Sequence, residues 1–194
     1  MKESFAIAAL VVSIAANLPY VFETIKGSAK PERISWLLWS LLGATYFVSA
    51  LFENGAVYFT FGELIGPVII LLLSIKYGVG GNSRFDIISL AVALIAFVLL
   101  FNVEGVLISL LLALTVDAIG VILTIRKLKV DPTSESRTFW AMGVVASVLA
   151  LLSLSEYNVE TVLFPVYVLS ISAVIFLKSE SEQSVELEDV PKAL

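Results

Sequence analysis

Asp117 is the residue whose type and position could do chemistry inside an otherwise apolar stretch. It lies nine residues before Arg126, which at 1.5 Å per residue is about 13 Å along a helix. That depth is close to the midplane of a hydrocarbon core roughly 30 Å thick. An ionisable side chain there is costly, so Asp117 indicates a proton relay or a substrate contact. The alternative is a structural carboxyl group, protonated or hydrogen-bonded to Thr115 or to a neighbouring helix.

Two further polar side chains interrupt apolar stretches. Asn17 lies nine residues before Lys26, the same spacing as Asp117 before Arg126, so Asn17 and Asp117 would form one polar centre that binds substrate. Glu63 lies about seven residues into its own apolar run. Asp117 and Glu63 are therefore the two candidates for proton coupling. For Glu63 the alternative is a carboxyl group that reaches water near the outer surface.

Aromatic side chains supply the other candidate substrate contacts. Trp39 and Trp140 can stack on sugars, rings or cations, although tryptophans near helix ends also anchor helices at the membrane interface. Both interpretations stay open for this pair. Tyr46 could line the same cavity. Trp36 lies two residues into its apolar run, and this position favours an interfacial anchor.

Three prolines, Pro19, Pro67 and Pro165, fall inside apolar runs. Proline removes a backbone hydrogen bond and kinks a helix. We expect these positions to act as hinges if one half of the protein moves against the other. The alternative is a static kink, since many membrane helices carry proline without moving.

The composition excludes several classes of function. Apolar residues make up 59% of the 194 residues and charged residues 15%, against about 25% charged in a soluble domain. There is no cysteine and no histidine, so disulfides, thiol nucleophiles and thiolate metal sites are absent, as is the commonest zinc ligand. We therefore expect no enzyme activity, no cofactor, no metal site and no nucleic-acid partner.

Seven apolar runs separated by short polar breaks predict seven membrane-spanning helices. They cover residues 5–25, 34–51, 57–75, 87–101, 106–125, 139–154 and 159–177. The predicted fold class is an all-α integral membrane protein. Its units are a first three-helix unit at 5–76, a linker helix at 85–101 and a second three-helix unit at 106–178.

An internal repeat underlies this division. The segments 17–26 and 117–126 align at an offset of 100, and a one-residue insertion extends the match. The matched pairs are Val21/Val121, Thr24/Thr124, Ile25/Ile125, Pro31/Pro132, Ser35/Ser136 and Trp39/Trp140. An internal repeat is typical of transporters whose site lies between the halves. Because one linker helix separates the units, both insert in the same direction, as a 3+1+3 parallel repeat.

The charges predict which side of the membrane each loop occupies. Eleven of the twelve basic residues lie in the first, third and fifth loops or after the last run. The positive-inside rule then places the N-terminus outside and the C-terminus in the cytoplasm. We expect the membrane to be the plasma membrane. Residues 179–194 are acidic and poor in apolar side chains, which predicts a disordered cytoplasmic tail.

Local residues add to this architecture. The first run carries Pro19 and Tyr20, a basic loop follows at 26–33, and Ser35, Trp36 and Trp39 open the second run. Together with the 3+1+3 arrangement, this pattern resembles the SWEET transporters and the wider PQ-loop (MtN3-like) superfamily. In that superfamily a proline–glutamine pair stands where Tyr20 follows Pro19.

The resemblance covers about residues 5–178 and carries expectations about residues. In the second unit Ile119 and Gly120 stand at the place of the proline pair, which makes Gly120 the expected hinge there. In many PQ-loop transporters a membrane aspartate takes the coupling proton, and by resemblance Asp117 is that residue here. Sugar-binding members carry an asparagine in the third helix of each unit. Glu63 lies in the third run instead, so the resemblance does not name the substrate.

The predicted function is transport of a small solute by alternating access through a cavity between the two units, with proton coupling left open. The alternative is a receptor or sorting protein on the same scaffold that does not transport. A retinal photoreceptor would need a lysine deep in the last run, where the first lysine is Lys178 at its end. The expected partners are a small-molecule substrate and the lipid bilayer, and a homo-oligomer stays open.

Overall fold

The chain forms seven α-helices and no β-strand within residues 2–52 and 57–180, the part that the computed structural model describes. The helices are α1 (Lys2–Lys26), α2 (Arg33–Phe52), α3 (Val57–Tyr77), α4 (Arg84–Leu100), α5 (Val106–Leu128), α6 (Arg137–Ser153) and α7 (Val159–Lys178). The prediction of an all-helical chain is confirmed. Each predicted run agrees with its helix to within three residues at either end.

Three stretches in this part of the chain are long and apolar enough to cross a bilayer: Lys2–Lys26, Leu107–Leu128 and Thr161–Lys178. Two shorter apolar stretches, Leu64–Tyr77 and Arg137–Ser153, fall below that length. The fold is therefore compatible with an integral membrane protein.

Polar side chains fix where several helices begin. Ser83 accepts a hydrogen bond from the Asp86 amide at the start of α4, and the Asp86 carboxylate accepts one from the Ser83 amide. Asn158 and Thr161 make the same reciprocal arrangement at the start of α7. Such capping boxes satisfy amide groups that the first helical turn leaves without partners.

Helix α4 buries small residues and exposes large ones. Ala93 and Ala96 pack against the core, whereas Ile88, Ile95 and Val98 are 63%, 62% and 59% exposed. A helix on the surface of a soluble protein shows the opposite pattern, with its large apolar side chains inside. The outward apolar face of α4 is suited to contact with lipid.

The pattern of helix contacts has an internal symmetry. In the first three helices α1 and α2 each contact α3, and in the last three α5 and α6 each contact α7. Across the two sets α1 contacts α6, and α2 contacts α5 in the same way. Exchanging α1 with α5, α2 with α6 and α3 with α7 therefore reproduces these contacts. Helix α4 has no counterpart and lies against α5 and α2.

The loops after α1, α3 and α5 lie together at one end of the bundle, which we call the basic end (residues 27–32, 78–83 and 129–136). The first and second of these loops pair through Val79 N to Pro31 O at 2.9 Å. The first and third pair through Lys30 N to Ser134 O at 2.8 Å. At the opposite end, the Lys2 ammonium group donates to the Ser155 carbonyl at 3.4 Å.

The segment after α7 is held for two residues beyond its predicted boundary. Ser179 is buried and accepts a hydrogen bond from Arg137, and Glu180 N donates to Pro132 O at 2.9 Å. These two residues belong to the predicted tail, and their backbone groups pair with Arg137 at the start of α6 and with Pro132 of the loop after α5. The rest of the predicted tail, 181–194, lies outside the described residues.

Candidate functional site

A cavity of about 570 Å³ lies between the first three helices and the last three. It reaches from aromatic side chains of α2 and α6 to Ala6 near the start of α1 and Ser153 at the end of α6. It therefore extends from the first turns of α2 and α6, next to the basic end, to the opposite end of the bundle. Its polar, aromatic and proline wall comprises Ser13, Asn17, Trp36, Trp39, Pro67, Asp117, Phe139, Trp140, Ser147, Ser153, Phe164, Pro165 and Ser172. We call it the central cavity.

Asp117 is the one ionisable side chain among the described residues that line the central cavity. Its Oδ2 accepts a hydrogen bond of 2.6 Å from the Tyr167 hydroxyl on α7. The hydroxyl group of Thr115 donates instead to the Leu111 carbonyl, so the partner of Asp117 comes from a neighbouring helix. The carboxyl group thus links α5 to α7 while it faces the cavity.

Trp39 presents an unused donor at the same place. Its indole nitrogen is directed at the Asp117 carboxyl group but does not reach hydrogen-bond geometry. Within the described residues this buried N–H has no partner. The helices come close here, since a Cβ on Gly120 would lie 3.0 Å from the Trp39 indole nitrogen. A buried donor without an acceptor is costly, so the neighbouring Asp117 carboxyl group is the acceptor that this N–H favours.

Asn17 lines the cavity from α1, and its position depends on a glycine of α3. A Cβ on Gly66 would lie 2.4 Å from Asn17 Oδ1, so the two helices approach closely because Gly66 has no side chain. The Asn17 amide nitrogen donates to the Ser13 carbonyl at 3.1 Å. The structure thus brings Asn17, Asp117, Trp39 and Trp140 into one cavity.

Five aromatic rings close the cavity toward the basic end, and we call them the aromatic floor: Tyr20, Trp36, Trp39, Phe139 and Trp140. Successive ring centroids lie 4.8 to 6.1 Å apart in edge-to-face arrangements, which is a favourable geometry for aromatic pairs. Trp36 is 2% exposed and donates to the Tyr20 hydroxyl. The prediction of an interfacial anchor for Trp36 is wrong, because its ring packs inward between α1 and α6.

The positions of the tryptophans within their helices give a second way to align α2 with α6. Trp36 is the fourth residue of α2, counted from Arg33, and Trp140 is the fourth of α6, counted from Arg137. By this count Trp140 corresponds to Trp36, whereas the sequence match paired it with Trp39. All three tryptophans line the cavity.

Below the aromatic floor, Glu135 joins three helices. Its Oε1 accepts a 3.1 Å hydrogen bond from the Tyr20 hydroxyl, and its Oε2 accepts a 2.8 Å bond from the Trp140 indole. The same carboxylate forms an ion pair with Lys127, whose ammonium group also donates to the carbonyls of Lys30 and Ser134. Glu135 is 4% exposed. This network seals the basic end beneath the cavity.

A second set of polar contacts crosses between α2 and α5. The Ser35 hydroxyl lies 2.7 Å from the Gly120 carbonyl oxygen, to which it donates, and it accepts a 3.1 Å bond from Thr124. Glu32 Oε2 accepts a 2.6 Å bond from the Ser35 amide. Gly120, predicted as a hinge, is thus a packing position against α2 in this structure.

The basic end holds a second cavity of about 360 Å³, lined by residues of all three loops and of α4 and α5. Lys30 pairs with Asp131 at 2.6 Å, and this hydrogen bond is the main reason why the pKa of Asp131 is lowered. Arg126 pairs with Asp86 at 2.7 Å. Burial raises the pKa of Glu32, which also lines this cavity.

The three predicted proline hinges lie within continuous helices. Helix α1 runs unbroken through Pro19, α3 through Pro67 and α7 through Pro165. Pro67 and Pro165 line the central cavity. The side chains of Tyr46 and Glu63 lie outside what the structure describes, so their predicted roles stay predictions.

The described part of the chain offers no group of three or more His, Cys, Asp or Glu side chains that could hold a metal ion. The functional residues that sequence reasoning missed are Glu135, Lys127, Tyr167 and Phe139. Glu135 and Lys127 lie in the charged break between the fifth and sixth apolar runs, whose composition is typical of a solvated loop. Tyr167 lies in an apolar run, and its hydroxyl group was the only sign of a polar role there. Its partner Asp117 lies 50 residues away in the sequence.

The chain matches no protein-family model, no curated protein and no solved structure.

Proposed function

We propose that this protein is a seven-span membrane transporter that moves a small solute by alternating access through the central cavity. The observation that carries the proposal is a cavity of about 570 Å³ that contains one carboxyl group and ends at the aromatic floor. Its volume lies within the roughly 300–1,000 Å³ typical of small-ligand sites. Intramembrane acids that face such a cavity usually serve substrates or protons.

The symmetric helix contacts support a 3+1+3 parallel repeat, with α4 as the linker helix. Repeats of this kind rock against each other around a site at their interface. The cavity lies between the two sets, while the Glu135 network closes one end. Opening this end and closing the other would expose Asp117 to the opposite side. In our proposal the N-terminus lies outside and the basic end in the cytoplasm of the plasma membrane.

Asp117 is the proposed proton-coupling residue. A carboxyl group favours its neutral form when buried and its anion when a cavity opens to water. A proton gradient can drive motion only if the two conformations bind the proton differently. Asp117 satisfies this condition if the rocking motion changes its exposure. Its hydrogen bond to Tyr167 joins the protonation state to the position of α7.

The test begins with a thermal-shift screen of the purified protein against sugars, amino acids and nucleosides. A hit is then tested for uptake into proteoliposomes, with and without a pH gradient. Asp117→Asn should lose gradient-driven uptake while exchange or ligand binding survives. If Asp117→Asn takes up the solute with an unchanged pH profile, Asp117 has a structural role. Glu63 would then be the remaining candidate for proton coupling. Saturable ligand binding without any flux would favour the alternative, a receptor or sorting protein.

A further inference from the structure

The cavity at the basic end contains one carboxyl group whose charge no neighbour balances. Three cationic side chains line this cavity or its edge, and each already has an acidic partner: Lys30 with Asp131, Arg126 with Asp86, and Lys127 with Glu135. Glu32 lines the same cavity and is 3% exposed. None of the three cations pairs with Glu32.

One oxygen of Glu32 has a hydrogen-bond donor and the other has none among the described residues. Oε2 accepts a 2.6 Å hydrogen bond from the Ser35 amide and lies 2.8 Å from the Ser35 hydroxyl group, whose single proton goes to the Gly120 carbonyl. Oε1 is buried and has no hydrogen-bond partner among the described residues. It lies against Gly80, another lining residue, where a Cβ would approach it to 2.1 Å. A buried acceptor left unpaired is costly, and a charged one more so.

The chemistry of the lining selects the class of ligand. An anion would have to compete with Asp131 and Asp86 for cations that are already paired. An inorganic cation would find too few ligands, since no cluster of three metal-binding side chains occurs in the described chain. An ammonium group carries three donors and suits a single carboxylate oxygen. Val79, Leu123 and Val130 offer apolar contact to a short carbon chain.

We propose that this cavity is a second binding site, separate from the central cavity, for a small molecule with a primary ammonium group that donates to Glu32 Oε1. The volume of about 360 Å³ lies at the low end of the roughly 300–1,000 Å³ typical of small-ligand sites. The site is independent of the transport proposal, because it lies beyond the aromatic floor and shares no lining residue with the central cavity.

The ligand should bind more tightly as pH rises. Burial raises the pKa of Glu32. Only the ionised carboxylate can accept hydrogen bonds at both oxygens, so the fraction of protein that can bind the ammonium group grows as pH rises. The other charged groups that line this cavity are Lys30, Asp86, Arg126, Lys127 and Asp131. The ion pairs among them are already formed, so the change in affinity should follow the titration of Glu32.

The experiment is calorimetric titration of the full chain in nanodiscs with ethylammonium. Saturable binding is expected, and tetramethylammonium, which has no N–H donor, should not bind. Glu32→Gln should weaken ethylammonium binding about tenfold or more, as expected for a hydrogen bond to a charged group. Glu104→Gln is the matched control, because it makes the same substitution at an exposed position of the opposite end. It should bind as the wild type does.

Further arms separate the alternatives. Alanine tests the zwitterionic source: its ammonium group suits Glu32 Oε1, while its carboxylate has to compete with Asp131 and Asp86 for Lys30 and Arg126. Binding of alanine that Glu32→Gln weakens supports the site and extends it to amino acids. If Glu32→Gln does not fold, the tetramethylammonium comparison and the rise of affinity with pH decide. Absence of saturable binding, equal binding of tetramethylammonium, or binding lost in Asp117→Asn but kept in Glu32→Gln overturns the proposal. The last result would place the ligand in the central cavity.

Discussion

Replacing Glu135 with alanine is expected to open the basic end of the bundle. The substitution removes the acceptor of the Tyr20 hydroxyl and of the Trp140 indole, and it removes the counter-charge of Lys127. The Lys127 side chain is 7% exposed. Removing one partner of a buried ion pair costs about 3–5 kcal/mol. We expect about 3 kcal/mol, the low end of that range, because Lys127 keeps the carbonyls of Lys30 and Ser134.

This loss should appear as a shift between closed and open states. If the Glu135 contacts exist only when the basic end is closed, about 3 kcal/mol lowers the ratio of closed to open protein roughly 100-fold. The assay is labelling of Ser147→Cys, a cavity residue of α6, in a chain that contains no other cysteine. A membrane-impermeant maleimide is added from the side of the basic end. Labelling should be slow in the parent and fast with Glu135→Ala.

Asp131→Asn provides the control, because it also removes one carboxylate of an ion pair in the same loop. That pair is 44% and 32% exposed, so its loss should cost less than about 1 kcal/mol and leave labelling slow. Glu135→Gln, which keeps one acceptor oxygen, should fall between the two. Equal labelling in Glu135→Ala and Asp131→Asn would refute the assignment of the seal to Glu135.

Three other outcomes follow from the described contacts. Gly66→Ala should destabilise the fold by about 1–3 kcal/mol, since its Cβ would lie 2.4 Å from Asn17 Oδ1. In a double-mutant cycle, Asn17→Ala should relieve much of this loss of stability. If the losses of the two single variants simply add, the contact is disproved. Burial raises the pKa of Glu32, so its contribution to stability is full below the ordinary value of 4.5 and is lost as pH rises through the folded-state pKa. In thermal unfolding measured without added amine, the stability of Glu32→Gln should not show this decline with rising pH. Parallel profiles of stability against pH for the wild type and Glu32→Gln would argue against the assignment. Cysteines at Glu104 and Lys129 should label from opposite faces of the membrane, and labelling from one face would remove the proposed topology.

The helices and their ends were predictable from the sequence. Their apolar runs, polar breaks and capping residues such as Ser83 and Asn158 are local features, readable within a few residues of each helix end. The sorting of basic residues into alternate loops is likewise a property of the linear chain. Asp117 was identifiable for the same reason, because a carboxyl group within a long apolar run stands out without any knowledge of its neighbours.

Only the tertiary structure decided which side chains meet. Tyr167 lies 50 residues from Asp117, and Tyr20 lies 115 residues from Glu135, so no local pattern connects either pair. Position along a helix also failed for Trp36, because the rotation of α2 against α1 and α6 turns its ring inward. Glu135 resembled a solvated loop residue, yet the packing of three helices buries it and gives it three donors. Position along a helix follows from the order of residues, whereas the direction in which a side chain points is set by the packing of distant helices.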